Sequence, residues 1–123
     1  MPDYSAVFLP GTAFTLLLWD TDVLAGEPLE VAGSGRCRRA AAGTETYVGI
    51  AGHDCYAGSL ITVIAGRTVH EGPAEDPITA GDHVAPSGEE DRQVTASTDP
   101  AAVIGLALTT ADADGDICRW LQR

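Results

Sequence analysis

The sequence predicts an all-β protein, a small barrel-like body built from two copies of one strand-and-turn unit. Three observations carry that prediction. The second half repeats the first: Ala25-Gly26-Glu27-Pro28-Leu29 recurs as Ala80-Gly81-Asp82-His83-Val84, and Tyr47-Val48-Gly49-Ile50-Ala51 as Val103-Ile104-Gly105-Leu106-Ala107. Ala57-Gly58-Ser59-Leu60-Ile61 recurs as Asp114-Gly115-Asp116-Ile117-Cys118, so the partners lie 55, 56 and 57 residues apart and their order is kept. Short β-branched or alternating runs alternate with glycine turns. No stretch sustains a 3.6-residue apolar period over three turns. Half a chain of this length buries too little for a good core, so each copy is expected to pack on its twin and share one core.

The elements follow in order. Met1 to Thr12 has no period and is broken by Pro2, Pro10 and Gly11; it reads as an arm without structure of its own. We assign residues 1–14 to this extended N-terminal arm and 15–123 to a single domain, with pseudo-repeats of about 15–70 and 71–123. Phe14 to Trp19 is apolar and strand-length, ended by Asp20 to Asp22. Further strands are expected at Pro28–Val31, Arg36–Ala40, Tyr47–Ala51, Leu60–Ala65, Arg67–His70, His83–Ala85, Arg92–Thr95, Val103–Leu108 and Ile117–Leu121. In Val103–Leu108 the bulky Ile104, Leu106 and Leu108 share one face. Helix is limited to single turns, at Asp54–Ala57 and Ala111–Asp114.

Composition excludes several functions. The net charge is −11, with 18 acids against 7 bases, and clustered cations are what sequence-independent nucleic-acid binding requires. All seven cations are arginine, so no lysine is present for Schiff-base or P-loop chemistry. Cys37, Cys55 and Cys118 are an odd, widely spaced set, expected as reduced, mostly buried thiols. The apolar run before Trp19 is too short for a signal core or a membrane span, so no membrane partner is expected.

No catalytic set emerges, and neither enzyme activity, a cofactor nor a metal is expected. His53-Asp54-Cys55 offers three ligand types in a row, but neighbours in a strand point to opposite faces; His83 and Cys118 would have to join them. Asp112-Ala113-Asp114-Gly115-Asp116 imitates a calcium loop, yet its glycine is fourth where an EF-hand needs it sixth, and no glutamate stands twelfth. Ser59, His53 and Asp54 lack a Gly-x-Ser-x-Gly elbow. Gly33-Ser34-Gly35-Arg36 with Arg38 and Arg39 is the one basic concentration. It reads as an arginine-rich edge for an acidic partner, or as a solvated hairpin, with Arg36 and Arg38 on one strand face and Arg39 on the other.

The same motifs, together with Pro10-Gly11-Thr12-Ala13 and Ile78-Thr79-Ala80-Gly81-Asp82, resemble those of tailed-bacteriophage head decoration proteins. The resemblance runs from about Pro10 onward and implies a β-tulip fold, a small β body with an extended N-terminal arm. It implies a virion structural protein on the capsid exterior, assembled in the host bacterial cytoplasm, that binds the major capsid protein and stabilises the lattice. It further implies a homotrimer at three-fold and quasi-three-fold positions. The arm contacts are then expected from Tyr4, Val7, Phe8, Leu9 and Pro10. Arg36, Arg38, Arg39 and Trp120 are expected as oligomer or partner contacts, with a core plug as the other reading of Trp120. The alternative reading is a small-molecule or sugar-acid binding β-clip-like domain, with a groove at His83 and neighbouring acids.

Overall fold

The computed structural model describes residues 13–123 and is all β. The ten strands are β1 (Ala13–Leu18), β2 (Pro28–Gly33), β3 (Arg36–Arg39), β4 (Tyr47–Ala51), β5 (Leu60–Ile64), β6 (Val69–Pro73), β7 (His83–Pro86), β8 (Val94–Ala96), β9 (Gly105–Ala107) and β10 (Ile117–Gln122). Each overlaps a run expected from the sequence. The first five close into a barrel in the order β1-β3-β2-β4-β5, and the last five form a sheet in the order β6-β10-β9-β7-β8. β1 joins β5 antiparallel from Ala13↔Ile64 to Leu17↔Leu60, and meets β3 in parallel at Leu17↔Arg36 and Leu18↔Cys37.

The two halves have the same topology. Replacing β1 to β5 by β6 to β10 turns one strand order into the other. Even the parallel closure has a counterpart, a single parallel bridge between Ala74 and Val94. The antiparallel bridge Val23↔Cys55 recurs as Ile78↔Ala111. Individual hydrogen bonds are duplicated as well: Gly26 N–H donates to Ala51 O as Gly81 N–H does to Ala107 O, both at 2.8 Å. The turn acid closes back three residues in each copy, Leu24 N–H donating to Glu27 Oε1 at 2.7 Å and Thr79 N–H to Asp82 Oδ2 at 2.9 Å. Gly26 and Gly81 hold φ of 89° and 95°, a left-handed conformation that a side chain disfavours, which explains why this glycine recurs.

The cores depart from expectation. Leu18, Val23, Leu29, Cys37, Ala51, Cys55, Ile61 and Val63 form one buried cluster inside the first half. The second half holds Ala74, Ile78, Val84, Val94, Ala107, Ala111, Cys118 and Trp120, joined by Ile104 and by Ile50 of β4, with Tyr47 and Ile64 packed against it. The expected single shared core is therefore two cores joined along β4 and β5, because the closed barrel and the second sheet each wrap their own interior. β1 begins at Ala13, so the last two residues of the expected arm belong to the barrel. Along this run Ile104 is buried in the core, but Leu106 and Leu108 are exposed while Gly105 and Ala107 are buried. The interior space there is taken by Trp120, which leaves room only for small side chains. The expected helical turns are instead hydrogen-bonded turns, Ser59 N–H to Tyr56 O and Asp116 N–H to Ala113 O.

Candidate functional site

Two of the three arginines of the basic edge are committed within the chain. Arg38 lies directly opposite Glu30 in the β2–β3 register and pairs with it at 3.0 Å. Burial alone would raise the Glu30 carboxyl; the bonds it accepts from Ala41 N–H and Arg38 outweigh this and hold it below its ordinary value. Arg39 grips buried Glu27 at 2.5 Å and also donates to Asp22 O. Only Arg36 of the three makes no ion pair among the described residues. Its guanidinium lies 4.1 Å over the Trp19 ring, a cation–π contact.

That contact sits at one end of the first barrel, where β1, β3 and β5 meet. Leu17 pairs with both Arg36 and Leu60, and the next turn carries Tyr56. Tyr56 is 78% and Leu60 66% exposed, with Trp19 also exposed beside them. Exposed tryptophan, tyrosine and arginine side chains at one end have the composition of an interface centre. The sequence reading selected Arg36 here but missed Trp19, Tyr56 and Leu60. Their available signal was two aromatics placed next to acidic or glycine turns in a chain only 6% aromatic. The aromatic part of the patch has no copy in the second half, where Glu75 follows Ala74 as Trp19 follows Leu18 and Ala113 takes the turn position of Tyr56; Leu60 recurs as exposed Ile117.

Trp120 is wholly buried, so it is removed from the expected partner contacts of the folded chain. It belongs to a polar seam between the halves. Its indole N–H donates to Gln93 Oε1 at 2.7 Å, and Gln93 Nε2 donates across to Gly26 O at 2.7 Å. On its other side His70 packs with ring centroids 5.0 Å apart. Gln122 completes the seam, accepting from Tyr47 OH at 2.6 Å and bonding His70 Nε2 at 3.0 Å, while its amide donates to Gly66 O. Burial pushes the Tyr47 phenol up and the His70 ring below its ordinary value, the latter against the Gln122 bond.

The catalytic and metal candidates have local structural work. His53 Nε2 accepts from Thr62 N–H at 3.2 Å and its Nδ1 bonds Asp54 O at 2.8 Å, so neither nitrogen is left for Ser59. Asp54 accepts from Ala25 N–H. Asp114 pairs with Arg92 at 3.1 Å and Asp116 caps Ala113 N–H. The three cysteines are free and buried, and burial, with Cys55 nearby, pushes the Cys37 thiol up to about 11. No group of three metal-ligating side chains occurs among the described residues. Tyr4, Val7, Phe8, Leu9 and Pro10 lie outside the described residues.

The fold defines a class: a duplicated all-β body of one closed five-stranded barrel and a second five-stranded sheet. Among solved structures, the chain is similar to the N base of the head fibre protein gp8.5 of bacteriophage phi29. The TM-score is 0.67 at 23% identity, covering 91% of this chain and 93% of that one. No family model and no curated protein matches the chain.

Proposed function

We propose that this chain is a virion structural protein that binds the outer surface of a phage capsid and reinforces it. The observation that carries the reading is the whole-chain fold likeness to a phage head-fibre base. The Trp19–Arg36–Tyr56 set, which the second half does not repeat, supports it, because a scaffold that adheres needs one surface set apart from the repeated framework. In this reading the body lies on a lattice junction as a β-tulip-type decoration protein, a homotrimer at three-fold and quasi-three-fold positions. The arm with Tyr4, Val7, Phe8, Leu9 and Pro10 docks on the major capsid protein. An arm that orders on its partner couples binding to correct assembly. Many copies on one lattice turn modest single contacts into strong reinforcement. The role needs no catalysis, cofactor or nucleic-acid contact, and places the protein on the capsid exterior after assembly in the host cytoplasm.

The test is co-sedimentation with empty capsids of the same phage, together with the mass of the free protein in solution. Binding is expected for the full chain and its loss for Trp19→Ala with Tyr56→Ala. A chain that never co-sediments would overturn the proposal.

A further inference from the structure

Because the halves share one topology, a surface row of the first half has a counterpart in the second. On β1, β5 and β4 the register lines up Ala13, Ile64 and Ile50, with Ala13↔Ile64 and Ile50↔Ile64 paired directly. On β6, β10 and β9 it lines up Val69, Leu121 and Leu106 in the same way. The two rows fare differently. Ile50 is buried among the core residues of the second half, and Ile64 and Tyr47 pack against that core. Leu106 is 37% and Val69 50% exposed, with Leu121 and Val103, the counterpart of Tyr47, half-buried. Stacked repeats bury one face on the next unit, and the last unit normally ends in a polar face. Here the last unit ends in an apolar one. We propose that the Val69–Leu121–Leu106 row is the seat of a second copy of this chain, joined head to tail as the second half is joined to the first.

The same correspondence gives the receiving surface. Within the chain, the row of the first half is received by the core of the second, the cluster that holds Ile104. Its counterpart on a second copy is the first-half core, where Val48 stands in the place of Ile104. Leu16 and Val48 are only half-buried against that core, so this flank of the barrel keeps apolar surface within reach of a partner. Row and receiver are different surfaces, which makes the contact heterologous: each copy gives one and takes the other, and a suitable rotation closes a ring. Charge agrees with a second copy as the occupant. Arg67 and Arg123 stand beside Leu106 and Leu121 around one hollow and make no ion pair among the described residues, with Asp82 on the rim beyond His83. A copy of net charge −11 brings acids to those two arginines. None of these residues belongs to the Trp19–Arg36–Tyr56 set proposed for the capsid.

The inference rests on the oligomer of the proposed function and names the surfaces that make it. The experiment is sedimentation equilibrium of the full chain and two variants. The wild type is expected as an oligomer, and Leu106→Glu and Leu16→Glu each as a monomer. Mixing the two variants should double the mass and go no further, because one intact row and one intact receiver remain between them. Leu106 is exposed, so its variant keeps the fold, which far-ultraviolet circular dichroism checks. Dilution of the wild type gives a readout that needs no variant. The nitrogen-15 amide signals of Leu16, Val48, Leu106 and Leu121 should shift together as the oligomer dissociates, while that of Tyr56 stays in place. A monomeric wild type, an oligomer that survives Leu106→Glu, folded variants that do not pair, or shifts confined to the Tyr56 end would each overturn the assignment. A monomer that co-sediments with capsids would sink this interface alone. An oligomer that never co-sediments would sink capsid binding alone.

Discussion

Gly105 faces Trp120 so closely that a Cβ there would lie 2.7 Å from the indole Cε3, with the Leu121 backbone nearer still. Gly49, its counterpart in the first half, would place a Cβ 2.6 Å from Val63 Cγ1. The repeated glycine is therefore a point of close approach between strands, and Gly105→Ala should destabilise by about 2–3 kcal/mol in urea unfolding. Gln93→Leu leaves the buried indole N–H without an acceptor, with an expected cost of about 1–3 kcal/mol by the same measurement. His70 gives the seam a pH dependence. Its folded-state value lies below the ordinary 6.5, so the folded chain binds fewer protons than the unfolded one there. The stability it contributes is complete above 6.5 and is lost as pH falls through the folded value. Thermal melts from neutral to acid pH should show this loss, and His70→Gln should remove it. Little of this was legible in the sequence: Trp120 meets Gln93 and His70 only through the fold, and no local pattern reports such distant partners.

At the level of strands the sequence was far more explicit. Tyr47–Ala51 forms a strand with the bounds expected of it, and the other nine differ from expectation chiefly at their ends. Alternation and glycine spacing are local properties, which is why they survive into the structure. Orientation is not local. The Val103–Leu108 run alternates in sequence, yet only Ile104 of its bulky side chains is buried; Leu106 and Leu108 face solvent because β10 supplies the Trp120 that fills the interior. Among the contact residues, Arg38 and Arg39 were visible as charges, whereas the buried acids opposite them depend on the β2–β3 register. The start of β1 sets a boundary for experiment. Deleting residues 1–12 should leave the melting temperature nearly unchanged and abolish capsid co-sedimentation. Deleting residues 1–18 removes β1, its five-residue ladder to β5 and its closure onto β3, and should unfold the barrel by circular dichroism.

The molecule as a whole is a closed barrel and a five-stranded sheet of matching topology that depend on each other. Each has an interior, but neither half is large enough to be secure alone. Ile50, Tyr47 and Ile64 lend apolar surface to the second core, and Gln93 and Gln122 carry hydrogen bonds across the seam. Scanning calorimetry should therefore show one transition whose calorimetric and van't Hoff enthalpies agree. A fragment of residues 67–123 should lack cooperative unfolding, since it loses Ile50, Tyr47 and Ile64 and leaves Gln93 and Gln122 without Gly26, Tyr47 and Gly66 across the seam.

The corner around Gly66 has a practical consequence. Ala13 pairs with Ile64, Gln122 N–H donates to Thr68 O, and the Gln122 amide donates to Gly66 O. The start of the first barrel and the end of the second thus emerge at the same place. A cargo fused behind Arg123 for display on a particle would issue beside the arm's point of departure and compete with its docking.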